Sequence, residues 1–292
     1  MMRIPRPDQA ATLRRMELDR RAVSPRPPVL AVTSGKGGVG KTLLSVNLSL
    51  EIARTGRRCL LVDLDPGLAN VDVHLRLRPA FSVLDVFSGK VEPEEAVLIG
   101  PHGLRIVPGG TPRDLREEDR IALLHEPLAP SRILEKLAPV SRDLDLIVLD
   151  TGAGIGPWVR GALDLADLNL LVTQPDPASV TDAYALLKVA EGLRPGIRTG
   201  LVVNRVRNRE EALLTATRLG KVSRRFLGAE PDFLGWFPDS PEVRRSIRNQ
   251  HPFCLRKEPV PELARNLSAL CANALGALKT RPRDRVTSAC LD

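Results

Sequence analysis

Nine residues, Ser34-Gly35-Lys36-Gly37-Gly38-Val39-Gly40-Lys41-Thr42, have the types and spacing to hold a triphosphate. Glycines let backbone N–H groups crowd around phosphate oxygens without Cβ clashes. Lys41 brings a full charge to the β- and γ-phosphates, and the Thr42 hydroxyl is a ligand for Mg²⁺. The apolar run Val29-Leu30-Ala31-Val32 precedes the loop, and a helical pattern from Leu43 to Ala53 follows it. That order aims the positive end of a helix at the same phosphates. Nucleotide contacts are therefore expected from Gly35, Lys36, Gly37, Gly38, Val39, Gly40, Lys41 and Thr42. A glycine-rich hairpin loop is the alternative, and the flanking strand and helix argue against it.

Carboxylates recur at the ends of apolar runs. Asp63-Leu64-Asp65-Pro66 closes the run Cys59-Leu60-Leu61-Val62. One carboxylate there can help hold Mg²⁺ and its waters, and the other can orient a water in line with the γ-phosphate. The bland reading of such an aspartate is helix capping. Asp150 ends Leu146-Ile147-Val148-Leu149, an arrangement that holds Mg²⁺ through water. The expected metal set is Thr42, Asp63 and Asp150. Gly152 and Gly154 suit a loop that moves when the γ-phosphate leaves. Gly152, Gly154 and Gly156 are spaced G-x-G-x-G, which is not a dinucleotide fingerprint. His74, His102, His125 and His251 are scattered and suggest no further metal cluster.

The elements that must position these residues can be read from periodicity. Apolar strands at 58–63, 104–107, 144–150, 168–173, 199–204 and 233–237 alternate with helical patterns such as 178–192, 209–219 and 261–278. Near-continuous aliphatic strands between helices predict a single doubly wound, mostly parallel sheet with helices on both faces. Ligands bind such sheets beyond the carboxyl ends of the strands, where the loop, Asp63, Asp65, Asp150 and Asn204 all fall. The 292 residues are 43% hydrophobic but only 3% aromatic, so aliphatic packing must fill the core. No apolar stretch is long enough to span a membrane. Four separated cysteines without a secretion signal suit the cytoplasm.

The net charge of +8 is concentrated at the ends. Residues 1–28 carry seven arginines against Asp8, Glu17 and Asp19. Residues 279–292 carry Lys279, Arg281, Arg283 and Arg285 against Asp284 and Asp292. Residues 8–20 can form a short helix with Leu13, Met16 and Leu18 on one side, and Ser24-Pro25-Arg26-Pro27-Pro28 breaks it.

A second lysine inside the loop, Lys36, is not needed by a minimal phosphate loop. It resembles the deviant Walker A ATPases of the MinD and ParA type, phosphate-loop NTPases of the SIMIBI class. The resemblance implies an early lysine that reaches the partner's nucleotide, hence an ATP-bound homodimer using Mg²⁺ and hydrolysing ATP slowly, as a switch. It implies catalytic roles for Lys36, Lys41 and Asp65, the last positioning the hydrolytic water within a first switch, Asp63 to Asp72. Asp150 to Ile155 resembles the second switch. Asn204-Arg205 resembles the family's adenine-recognising asparagine, and Phe237-Pro238-Asp239-Ser240 the other wall of the base pocket. An amide can both donate to and accept from adenine.

Asp8-Gln9-Ala10-Ala11-Thr12-Leu13-Arg14-Arg15 resembles the D-Q-A-x-x-L-R element of the flagellar-placement branch, called FlhG, FleN or YlxH. Val83 to Gly89, Val107 to Gly110 and Thr181-Asp182-Ala183-Tyr184 resemble further segments of that branch. The resemblance implies an N-terminal helix that stimulates a signal-recognition-type GTPase, FlhF, with Asp8, Gln9, Leu13 and Arg14 at the contact. It also implies flagellar ring or regulator proteins as further partners. The expected organisation is a partner-activating helix at 1–22, a Pro-rich linker at 23–28, an ATPase domain at 29–278 and a flexible basic tail at 279–292. Departures are His74-Leu75-Arg76-Leu77 after the first switch and a tail whose Pro282 and lack of an apolar face argue against a strong membrane anchor. Only weak or indirect attachment to the inner face of the membrane is then expected. A ParA-like DNA or cargo segregation ATPase is the alternative. Its DNA-binding face would have to come from arginines such as Arg205, Arg207, Arg224 and Arg245, and nucleic acid is the less expected partner.

Overall fold

The computed structural model describes residues 26–66, 68–110 and 125–279. Asp8, Gln9, Leu13 and Arg14, with the tail beyond Lys279, lie outside the described residues.

In chain order the elements run β1 (Val29–Thr33), α1 (Lys41–Arg54), β2 (Cys59–Leu64), α2 (Val71–Leu75), α3 (Val83–Ser88), α4 (Pro93–Ala96), β3 (Leu98–Ile99) and β4 (Arg105–Val107). Then follow α5 (Ala129–Lys136), α6 (Ala138–Ser141), β5 (Leu146–Thr151), α7 (Pro157–Leu165), β6 (Leu168–Thr173) and α8 (Pro177–Leu193). The chain continues through β7 (Thr199–Val206), α9 (Arg209–Leu227), β8 (Asp232–Pro238), α10 (Pro241–Arg248) and α11 (Pro261–Lys279).

One eight-stranded sheet has the order β3-β4-β2-β5-β1-β6-β7-β8. Every pairing is parallel except β3 with β4 at one edge. β1, β2, β5 and β6 are buried along their whole length, as strands covered on both faces must be. Successive side chains part to opposite sides. Leu30 and Val32 pack with α1 and α11, through residues such as Leu48, Leu263 and Leu270. Val29 and Ala31 pack on the other face with Ile133 of α5 and Ala162 of α7. α8 and α9 extend that second layer over β7. The nearly aromatic-free core is thus an interleaved set of Leu, Val, Ile and Ala, as the composition required.

Local chemistry sets the helix ends near the site. Asp176 accepts from the Ser179 N–H and begins α8, with Pro177 in the first turn, where its missing N–H costs nothing. Asn208 caps α9 in the same way, and Gly228, at φ +70°, ends it. α1 has no side-chain cap: Gly40 precedes it at φ +101°. Its first N–H groups therefore remain available to a ligand.

Candidate functional site

β1 delivers the loop 34–40 to the carboxyl edge of the sheet, beside β5 on one side and β6 on the other. Gly38 and Gly40 have φ values of +75° and +101°, which disfavour any side chain. Gly35 is needed for a different reason: a Cβ there would collide with the backbone of Asp182.

Five neighbours hold the loop. The Gly154 N–H donates to the Ser34 carbonyl at 2.9 Å. Gln174 Nε2 donates to the Gly38 carbonyl at 3.4 Å. Asn204 Nδ2 donates to the Val39 carbonyl at 2.7 Å. Lys36 Nζ lies 3.5 Å from Asp176 Oδ1, and Asp182 abuts Gly35. Contacts from the turns after β5 and β6, from α8 and from β7 thus fix the shape of the loop.

Lys41 is buried and donates to Ser34 Oγ at 3.0 Å. Burial pushes its ammonium below the ordinary lysine value, and the charges of Asp150 and Asp65 oppose that shift. Asp63 and Asp150 are register partners on β2 and β5, side by side at the strand ends. Burial raises both carboxyls. At Asp63 the charge of Asp150 adds to the effect, while at Asp150 the hydrogen bond from Ser45, the nearby Thr42 hydroxyl and the Lys41 charge oppose it. Two adjacent buried carboxylates need a cation to stay ionised together.

The two aspartates differ in what they hold. Asp63 Oδ1 accepts from the Asp65 N–H at 3.0 Å, and Oδ2 from the N–H groups of Asn70 and Val71 at 3.1 and 3.2 Å. Asp63 thus folds the segment that carries Asp65. Asp150 Oδ1 accepts from Ser45 Oγ at 2.7 Å, while its buried Oδ2 has no hydrogen-bond partner. An orphaned carboxylate oxygen beside Thr42 fits Mg²⁺ reached through water. Asp65 is partly exposed, and a Cβ on Gly152 would lie 3.1 Å from its Oδ1. The segment after β2 and the turn after β5 therefore meet at Asp65 and Gly152.

Asn204 is buried and uses half of its amide on the protein: one hydrogen to Val39, one lone pair to the Arg205 N–H at 2.9 Å. One donor and one acceptor stay free for a base. Arg205 is exposed at φ +56°, and Pro238 ends β8 opposite Val206. Of the three, Asn204 touches the loop, while Arg205 follows it in β7 and Pro238 lies on the neighbouring strand β8.

Ser45, Gln174 and Asp176 join the site without having been singled out in the sequence, and Ser34, the first residue of the loop, gains a role as acceptor for Lys41. Ser45 could have been found: it lies one helical turn beyond Lys41 and so shares its face. Gln174 and Asp176 carry no local signal.

Loop, paired strand-end acids and free helix N-terminus define a phosphate-loop nucleotide-binding protein. The family described as CobQ/CobB/MinD/ParA nucleotide binding domain matches residues 30–253, and the chain belongs to that family. It is 39% identical to the antiactivator FleN of Pseudomonas aeruginosa over 76% of this chain and 77% of that one. It is 32% identical to the flagellum site-determining protein YlxH of Helicobacter pylori over 76% and 73% of the two chains. The fold is similar to that of MinD from Pyrococcus horikoshii complexed with Mg-ADP: TM-score 0.70, 23% identity, 87% and 99% of the two chains covered.

Proposed function

We propose that this chain is an ATP-dependent, dimerising ATPase that regulates flagellar number and placement together with an FlhF-like GTPase. The observation that carries the reading is the 39% identity to the antiactivator FleN, spread over three quarters of both chains (76% and 77%). The name of YlxH, a flagellum site-determining protein, points the same way.

In this reading Lys41 and the backbone of residues 35–40 bind the triphosphate of their own subunit. Lys36, half exposed, leaves Asp176 and reaches the nucleotide of a second copy. Thr42, with Asp63 and Asp150 partly through water, would hold Mg²⁺, which would supply neutralising charge to the phosphates. Asp65 orients the attacking water, and Asp63 keeps that segment folded. Asn204 reads adenine with its uncommitted donor and acceptor, while Arg205 and Pro238 border the base. Loss of the γ-phosphate loosens the contact of Asp65 with Gly152 and separates the dimer. Slow hydrolysis therefore acts as a timer.

Residues 8–14 contact the GTPase, with Gln9 reaching its active site, Leu13 packing and Arg14 pairing. The protein works in the cytoplasm, with flagellar ring or regulator proteins as further partners and only weak or indirect attachment to the inner membrane face. Incubating the cognate FlhF-like protein with this chain tests the reading. Accelerated GTP hydrolysis, lost with Gln9→Ala, is the expected result. No acceleration removes the flagellar partnership and leaves the ATPase intact. Salt-sensitive, ATP-dependent binding to random duplex DNA would replace it with segregation.

A further inference from the structure

A groove of about 890 Å³ opens at the amino-terminal edge of the sheet, opposite the phosphate loop. Its apolar lining includes Val29 at the start of β1, Ile147 in β5, Leu134 in α5 and Leu165 at the end of α7. Glu135 and Arg142 stand on its exposed rim. Nothing in the nucleotide chemistry uses this end of the sheet.

The chain itself enters the fold here. Arg26 and Pro27 also line the groove. Arg26 is pinned by Asp167 at 3.2 Å and by the Leu165 carbonyl at 3.2 Å. The preceding 25 residues therefore start from the rim.

We propose that the groove is the docking site of the chain's own N-terminal segment, with Leu13, Met16 and Leu18 as the buried side chains. Seven residues lie between Leu18 and Arg26, eight chain steps with a reach of at most roughly 29 Å. So short a tether holds the segment near the groove at an effective concentration on the order of millimolar. Both charge signs on the rim have counterparts in the segment: Arg14 and Arg15 for Glu135, Glu17 and Asp19 for Arg142. The C-terminal tail is the poorer occupant. It leaves from α11, which packs on the opposite face of the sheet, with Leu30 and Val32 rather than Val29.

Docking buries Leu13, so the groove and any partner that needs Leu13 compete for the same segment. The docking stands on groove, tether and composition; only this competition rests on the FlhF-like reading.

The test uses the full chain carrying Ala138→p-benzoylphenylalanine on the rim, irradiated as a mixture of isotopically light and heavy protein. Cross-links to residues 8–23 within one isotope class are expected, with a yield at least about fivefold lower in Met16→Glu. Hydrogen exchange of residues 129–141 is expected to be roughly three- to tenfold slower in the unsubstituted chain than in Met16→Glu, which alters no residue of the described core. Mixed light–heavy cross-links, cross-links only to the tail, or equal exchange in the two proteins would overturn the proposal. A protein that fails this test but still accelerates the GTPase retains the function proposed above.

Discussion

The ammonium of Lys36 lies 3.5 Å from the Asp176 carboxylate of the same chain, at the residue that caps α8. Both side chains are more than two-fifths exposed, at 44% and 42%. A pair this solvated contributes little, roughly 0–1 kcal/mol, so Lys36 can leave it at small cost. Asp176 has other employment: it accepts from the N–H and hydroxyl of Ser179 at 2.9 and 2.6 Å. Those bonds, more than Lys36, hold its carboxyl below the usual aspartate value.

Unequal effects from the two partners follow. Lys36→Ala is expected to change folding stability by less than about 0.5 kcal/mol. Asp176→Ala should cost about 1 kcal/mol through the lost cap. Urea unfolding of the two variants checks this, and equal losses would contradict the assignment of the cap.

The roles proposed for Asp65 and Lys36 predict that hydrolysis and association can be separated. Asp65→Ala should slow phosphate release by about 100-fold or more, leaving a long-lived dimer in ATP by light scattering. Adding Lys36→Ala should return it to monomer. A dimer that persists in the double variant counts against the bridging lysine.

The loop glycines should rank by cause. Gly35→Ala meets the backbone of Asp182, and Gly40→Ala meets the Asn204 amide at φ +101°, so both should abolish measurable ATP binding. Gly38→Ala has open space and pays only for its φ of +75°, about 1–2 kcal/mol, or roughly tenfold in affinity. Titration with a fluorescent ATP analogue reads the order.

Glu51 supplies a pH dependence away from the site. It is buried on α1 and accepts from Arg54 at 2.7 and 2.8 Å and from Ser268 of α11 at 2.6 Å. The Arg54 hydrogen bonds, with Ser268 adding and burial opposing, hold its carboxyl below the ordinary glutamate value. A depressed carboxyl stabilises fully above its unfolded value and loses that contribution as pH falls through the folded one. Stability should therefore fall below about pH 4.5, and Glu51→Gln should lower it by about 1–2 kcal/mol at pH 7 and flatten that acid limb. Thermal unfolding between pH 3 and 7 measures both.

The amino-acid sequence alone determined what local pattern can specify. Apolar runs bounded by turns placed β1, β2, β5, β6 and β7, and glycine spacing placed the phosphate loop, because strand burial and loop backbone freedom are written residue by residue. α9 ran on to Leu227, beyond the expected 219, since its exposed second half weakens the periodic signal. The two-residue strand β3 and the short helices α2, α3, α4 and α6 were not legible: each is too short for a period to show and depends on packing against neighbouring elements.

Tertiary structure decided the division of labour. Two aspartates equivalent on paper became a scaffold for the segment 65–71, Asp63, and a carboxylate with one unpartnered oxygen, Asp150. Only the packing of β2 and β5 brought them level, and only the fold led backbone N–H groups to one and not the other. The partners of the loop, Gln174, Asp176 and Asn204, come from more than 130 residues along the chain. No local spacing can encode a contact that exists once β6 and β7 have been laid beside β1.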